Sequence, residues 1–146
     1  MIRQMSTIAN ACVIGAGVMG AGIAAHLANC GLKVLLLDIV PDKLTETEMR
    51  SGLTLSSPAV RNRYALAAIE RLKYTRPSPL YDNSYVSRIK PGNMEDDLPL
   101  IAQADWVIEA VSEKLEIKKQ VYSKLDHHYR SGIIISSNTS GISLRD

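Results

Sequence analysis

The sequence predicts an α/β fold, a doubly wound parallel sheet, and three observations carry this prediction. A short apolar strand at residues 11–14 runs into three glycines with the spacing G-x-G-x-x-G, and these open an alanine-rich helix that ends near Cys30. A second apolar strand at residues 34–37 ends in Asp38. Apolar strands then alternate with helical segments along the rest of the chain, as expected for parallel strands joined by right-handed helical crossovers.

The spacing of the glycines has a mechanical reason. Gly15 permits a tight turn from strand to helix, Gly17 lets the backbone approach a pyrophosphate, and Gly20 lets the helix pack close to the sheet. The helix N-terminus offers unpaired N–H groups and a positive dipole end to the phosphates. Val18 and Met19 stand between the second and third glycines and complete the predicted cofactor-binding loop. Three glycines alone can form an ordinary loop, so the prediction depends on the strand before them and the helix after them.

The acid that ends the second strand predicts which cofactor is bound. Asp38 lies 18 residues past Gly20, close to the separation at which a carboxylate accepts both hydroxyls of an adenosine ribose. The plainer interpretation is a turn residue at the end of a strand, before Pro41. A carboxylate repels the 2′-phosphate of NADP, and neither Ile39 nor Val40 supplies a neutralising cation. The predicted cofactor is therefore NAD.

Composition limits the class of protein. The 146 residues suffice for one domain with a real core, and 46% of them are hydrophobic. The net charge of +2 points to no particular partner. No apolar run approaches the length of about 18 residues that a membrane span needs, and the first ten residues lack the apolar centre of a signal peptide. Cys12 and Cys30 have no metal-ligand spacing, so we expect no metal site and buried free thiols in a reducing cytoplasm.

The remaining elements follow from apolar periodicity and turn residues. Pro41 suits a first helical turn, and Ser57 followed by Pro58 predicts a second helix start. The fifth strand is β-branched throughout, which predicts burial on both faces. The predicted elements after Asp38 are a helix at 42–49, a helix from 58, a strand at 85–89, a helix at 95–104, a strand at 105–111, a helix at 115–129 and a strand at 133–135. Because a doubly wound dinucleotide fold uses six strands, we expect one NAD-binding domain over residues 1–146 that is a fragment of a longer enzyme.

A basic segment between Arg50 and Lys90 has two interpretations. It carries eight basic residues against two acidic ones, Glu70 and Asp82. Such a run is usually a solvated face. The functional alternative is a docking surface for a polyanionic substrate, whereas nucleic acid is disfavoured because the run has no recognisable binding motif.

Ligands of such sheets lie outside the carboxyl ends of the strands. Residues 112–118 and 138–141 follow the fourth and fifth strands, and they include Glu113, Lys118 and Ser140. Lys118 can reach a ribose or nicotinamide-side oxygen, and Glu113 can orient that lysine or a substrate group. A substrate oxygen can be hydrogen-bonded by Asn138, Thr139 and Ser140. The equally weighted alternative is a surface pair at a helix start and a loop whose hydroxyls cap the next turn.

Three ordered motifs resemble one enzyme family. They are GAGVMGAGIA at residues 15–24 followed by Asp38, DWVIEAVSEKLEIK at residues 105–118, and SSNTS at residues 136–140. Each is similar to a segment of the NAD-binding domain of the 3-hydroxyacyl-CoA dehydrogenases of fatty-acid β-oxidation, and together they cover nearly the whole chain. The segment at residues 77–93 is similar to a long bacterial subgroup of that family.

The resemblance implies a role for each matched residue. The glycines and Asp38 would hold the adenosine diphosphate half of NAD, Glu113 and Lys118 would lie at the nicotinamide-ribose side, and Ser140 would contact the substrate's 3-hydroxyl. The family's general base, a histidine in an H-F-x-N-P motif, does not occur in these 146 residues. The family's helical domain, which closes over the acyl-CoA and makes the dimer, is absent as well. The resemblance therefore implies an oxidoreductase acting on acyl-CoA thioesters, a homo-oligomer at full length, with the 146 residues alone inactive.

Two other functions remain open at this point. One is a different NAD-dependent dehydrogenase acting on a small 3-hydroxy acid, since such enzymes share the G-x-G-x-M-G opening. The other is a non-catalytic dinucleotide-binding module. The basic segment favours the CoA thioester, because the nucleotide of CoA is polyanionic.

Overall fold

The computed structural model describes residues 7–128 and 130–141. Its sheet contains five strands, all parallel, in the order β3-β2-β1-β4-β5. The chain winds outward from the central β1 first to one side and then to the other, so the predicted α/β doubly wound fold is confirmed. The strands are β1 (Asn10–Ile14), β2 (Lys33–Asp38), β3 (Ile89–Asn93), β4 (Trp106–Glu109) and β5 (Ile134–Ser137).

Helices cover both faces of the sheet. They are α1 (Val18–Asn29), α2 (Glu46–Arg50), α3 (Pro58–Arg61), α4 (Arg63–Tyr74) and α5 (Leu115–Leu125), with 3₁₀ segments at Asn83–Arg88 and Leu98–Gln103. The helices α1 and α4 pack on one face, while α5 and the Leu98–Gln103 segment pack on the other. None of these helices, taken over the residues described, has the length and apolarity needed to cross a membrane.

The central strand β1 divides its side chains between the two cores. Ala11 and Val13 join the core under α1 and α4, and Cys12 and Ile14 join the core under α5. Burial on both faces is typical of a central parallel strand. It also raises the pKa of the Cys12 thiol to about 12, so this cysteine is an inert core residue. The expectation that both thiols are buried is wrong for Cys30, which is exposed at the end of α1.

The connection after β2 differs from the prediction. The first short helix, α2, begins at Glu46 and not near Pro41, because Thr45 and Glu48 form a capping box. The Glu48 carboxylate accepts the Thr45 N–H at 2.7 Å, and the Thr45 hydroxyl accepts the Glu48 N–H at 3.3 Å. The helix start at Ser57 and Pro58 is confirmed, although the Ser57 hydroxyl bonds the Thr54 N–H rather than its own helix.

The third strand lies four residues later than predicted. Residues 83–88 form a 3₁₀ turn started by Asp82, and β3 runs through Pro91 and Gly92. A proline is compatible with this position because β3 is the edge strand of the described sheet. The predicted helix at 95–104 is also wrong, since only a 3₁₀ segment forms there, with a proline in its first turn.

The fourth and fifth strands are shorter or shifted. The predicted strand at 105–111 is reduced to β4, and the strand predicted at 133–135 is β5 at 134–137. The expectation that it is buried on both faces is wrong: Ile134 is 47% and Ile135 38% exposed, because β5 pairs only with β4 among the described residues. The helix predicted to reach Tyr129 ends at Leu125, and Tyr129 lies outside the described residues.

Candidate functional site

Two of the loop glycines are required by close packing of the chain itself. Gly15 has a φ of 103°, and a Cβ on it would lie 2.6 Å from the Ala110 carbonyl oxygen just after β4. A Cβ on Gly20 would lie 1.7 Å from the Gly15 carbonyl oxygen. The first glycine therefore allows the turn, and the third lets α1 meet that turn, as the spacing predicts.

The middle glycine is different. Gly17 begins α1 as its N-cap with a φ of −67°, and a Cβ on it would meet no atom within 4 Å. Neither backbone strain nor packing within the described residues explains a glycine here. The space in front of it lies at a helix N-terminus, whose first N–H groups have no partner within the helix. An open space beside such donors fits a pyrophosphate.

Val18 and Met19 flank this space. Both belong to the first turn of α1, and they are 81% and 57% exposed. They line an open groove of about 450 Å³ that runs along the side of α1 as far as Leu27, with Trp106, Ile108 and Asn138 on its other wall. The first turn of α1 is therefore open to solvent on the side that faces β4 and β5.

Asp38 lies directly against the glycine loop. One carboxylate oxygen accepts the Ala16 N–H at 2.5 Å, and the other accepts the Ile39 N–H at 2.7 Å. The Gly15 N–H is also bonded to the Leu37 carbonyl at 2.8 Å. The acid and the loop are therefore one unit at the carboxyl ends of β1 and β2. Each carboxylate oxygen keeps a lone pair that can accept a ribose hydroxyl.

Lys118 lies in the interior of the protein. It is 4% exposed, and its ammonium group is 2.8 and 2.9 Å from the two carboxylate oxygens of Glu109, which is 0% exposed. The surface-pair interpretation of Glu113 and Lys118 is therefore wrong. The lysine is held by Glu109 at the end of β4, and not through a hydrogen bond to Glu113.

Glu113 instead holds the segment after β5. One of its carboxylate oxygens accepts the Ser140 N–H at 3.2 Å and the Ser140 hydroxyl at 3.1 Å. These hydrogen bonds from Ser140, together with the positive charge of Lys118, lower the pKa of Glu113. The pairing brings residues from the ends of β4 and β5 together at the second half of the sheet.

Glu109 is the residue of this cluster that the sequence analysis missed. A signal was available: an acid stands among apolar residues in the fourth strand, and an ionisable group in a buried strand needs a partner. The periodicity of α5 does not mark Lys118 as that partner, because lysine at a helix start is usually exposed.

A doubly wound sheet, a glycine loop at a helix N-terminus and an acid at the end of β2 define a dinucleotide-binding domain. The family described as "3-hydroxyacyl-CoA dehydrogenase, NAD binding domain" matches residues 10–146. The chain belongs to this family as its NAD-binding domain, and its cofactor is NAD.

Individual relatives agree with this assignment. A probable 3-hydroxyacyl-CoA dehydrogenase from Bacillus subtilis is 51% identical over 139 residues, which are 95% of this chain and 18% of that protein. One from Deinococcus radiodurans is 46% identical over 136 residues, 92% of this chain and 35% of that protein. The crystal structure of 3-hydroxybutyryl-CoA dehydrogenase from Escherichia coli K12 matches with a TM-score of 0.63 and 29% identity, over 95% of this chain and 26% of that chain. The chain thus spans about a third or less of these proteins.

Proposed function

We propose that this chain is the cofactor-binding part of an enzyme that oxidises 3-hydroxyacyl-CoA to 3-ketoacyl-CoA in fatty-acid β-oxidation. The observation that carries the cofactor part of the proposal is the open space at Gly17, which faces a helix N-terminus and follows the Ala16 N–H that the Asp38 carboxylate binds. The adenosine diphosphate half of NAD binds there, on the backbone of Gly15, Gly17 and Gly20 and on Asp38. Val18 and Met19 contact it from the first turn of α1.

The second half-site receives the nicotinamide end. The Lys118 ammonium group has three N–H donors, and two of them bond the carboxylate oxygens of Glu109. The third is left for an oxygen of the nicotinamide ribose. The Ser140 hydroxyl donates to Glu113, so its lone pairs accept the hydrogen of the substrate's 3-hydroxyl. Ser140 orients the substrate in this way, and Glu113 orients Ser140.

When bound, NAD supplies the acceptor for the hydride that leaves carbon 3. The described residues hold the cofactor and orient the reacting hydroxyl. The proton of that hydroxyl passes to a histidine in the family motif that these 146 residues do not contain. General base catalysis contributes about 10²–10⁴-fold, so the chain alone is expected to bind the cofactor without turning over substrate.

The basic segment gives little support to a CoA substrate. Six of its eight basic residues make contacts within the chain: Arg50, Arg61, Arg63 and Lys73 pair with carboxylates, and Arg76 and Arg88 bond backbone carbonyls. Four of the eight positive charges are therefore paired within the chain. The proposal of a CoA thioester therefore depends on the family, whose relatives carry that substrate in their names.

A chimera tests the proposal. These residues replace the matching domain of the Bacillus subtilis relative, and NADH formation is followed with 3-hydroxybutyryl-CoA and with free 3-hydroxybutyrate. We expect turnover of the thioester, little turnover of the free acid, and none with the chain alone. The same chimera carrying Gly17→Val is the matched control and should be inactive.

Other outcomes would point to the alternatives. Preferred turnover of the free acid would support a small 3-hydroxy acid dehydrogenase. A chimera that is folded and binds NAD but oxidises neither compound would support a non-catalytic dinucleotide-binding module.

A further inference from the structure

The carboxylate of Glu109 joins three elements at one edge of the sheet. One oxygen accepts from Lys118 of α5 and, at 2.8 Å, from the N–H of Val111. The other accepts from Lys118 and, at 2.5 Å, from the hydroxyl of Ser137 at the end of β5. The Glu109 carbonyl also accepts the Asn138 N–H at 2.7 Å. One buried acid therefore connects β4, α5 and the start of the segment that carries Ser140.

A gain in folding stability alone does not explain why this charged pair is buried. A buried ion pair often contributes less to folding than well-packed apolar residues of similar volume, because both charges must leave water. Here the pair is placed at the carboxyl ends of β4 and β5, where a ligand of this sheet lies. Its hydrogen bonds fix the direction of the Lys118 ammonium and the path of the chain from Ser137.

We propose that Glu109 is the positioning residue of the nicotinamide half of the site. Its carboxylate orients Lys118 so that the third N–H of the ammonium group points toward the ribose. Its hydrogen bonds also hold residues 137–140 in the position where Ser140 reaches the nicotinamide end. The adenosine half depends on Asp38 and the glycine loop, to which the Glu109 carboxylate makes no hydrogen bond among the described residues. This inference rests on the proposed function. It predicts that a substitution of Glu109 weakens binding of the nicotinamide half of NAD and leaves binding of the adenosine half unchanged.

The test compares NADH with ADP-ribose, which lacks the nicotinamide. Dissociation constants are measured for the chain and for Glu109→Gln, with the emission of bound NADH as a spectroscopic report on the nicotinamide alone. We expect the wild-type chain to bind NADH more tightly than ADP-ribose. In Glu109→Gln this advantage is lost, the emission of bound NADH returns toward that of free NADH, and ADP-ribose binds as before.

Asp105→Asn is the matched control. Asp105 is also a hydrogen-bonded carboxylate of the fourth strand segment, but it lies at the opposite, amino end, where it bonds the Ala9 and Asn10 N–H groups and Arg130. We expect Asp105→Asn to lower stability and to leave the advantage of NADH over ADP-ribose unchanged. If both variants lose it to the same extent, Glu109 is only a structural residue and the inference is overturned.

A second variant covers the case in which Glu109→Gln does not fold with an unpaired Lys118. Glu109→Asp keeps a negative charge beside Lys118 but is one methylene shorter, so it should fold while showing the same selective loss. An unchanged ratio of the two dissociation constants in this variant contradicts the inference while leaving the cofactor assignment intact. A wild-type chain that binds neither compound contradicts the proposed function itself.

Discussion

Individual glycines of one motif serve different purposes, and the structure separates them. A Cβ on Gly15 or Gly20 would clash with backbone atoms of the chain, whereas a Cβ on Gly17 would meet no atom within 4 Å. The sequence predicted a turn at Gly15 and close helix packing at Gly20 from the spacing together with the flanking strand and helix, and the role of Gly17 toward a phosphate stays a prediction.

We predict that glycine substitutions divide into two classes. Gly17→Val should abolish NAD binding with a loss of stability of no more than about 1 kcal/mol, since valine is only a poorer N-cap. Gly20→Ala should lose about 3 kcal/mol or more, because its Cβ cannot coexist with the Gly15 carbonyl. Calorimetric titration together with urea unfolding measures both quantities.

Gly22→Ala is the matched control for these variants. Gly22 lies inside α1, and a Cβ there meets no atom within 4 Å. Alanine should stabilise the helix by about 0.5–1 kcal/mol and leave binding intact. Normal NAD binding by a folded Gly17→Val variant would overturn the phosphate-loop assignment.

At the scale of elements, the helix starts that the sequence predicts correctly are those set by neighbouring turn and capping residues. The starts of α1 and α3 follow from residues next to them in the chain, and both were predicted. The start of α2 was missed because Pro41 resembled a helix signal while the Thr45 capping box decided the outcome. The place of β3 depends on pairing with β2, a long-range contact that apolar periodicity does not contain.

The start of β4 is joined to the start of β1 by one carboxylate, and this connection should depend on pH. Hydrogen bonds from the Ala9 and Asn10 N–H groups hold the pKa of Asp105 below its ordinary value of 3.8, and Arg130 adds to the effect. Because the folded pKa is the lower one, the stabilisation is present above 3.8 and is lost as the pH falls below it toward the folded pKa.

We therefore predict that Asp105→Asn costs about 1–2 kcal/mol at neutral pH and that the difference from wild type shrinks at acidic pH. Urea unfolding of both proteins between pH 7 and pH 3 measures this. A difference that stays constant down to pH 3 would contradict the role given to the Asp105 charge.

At the scale of the whole molecule, the two halves of the site have different origins. The proposed adenosine half is assembled from residues within one continuous β1-α1-β2 unit, so its members could be predicted from spacing. The proposed nicotinamide half draws on Glu109, Lys118, Ser137 and Ser140, which α5 and the parallel pairing of β4 with β5 bring together. The sequence supplied candidates for it, but the partner of each was set by the fold.

The central claim is that this chain binds NAD through the glycine loop and Asp38. Calorimetric titration of the chain with NAD and with NADP, repeated on Asp38→Ala, tests it most directly. We predict tighter binding of NAD, and in Asp38→Ala a loss of about 1–3 kcal/mol for NAD with a narrower preference between the two cofactors. NADP binding equal to or tighter than that of NAD by the wild-type chain, or an unchanged preference in Asp38→Ala, would contradict the claim.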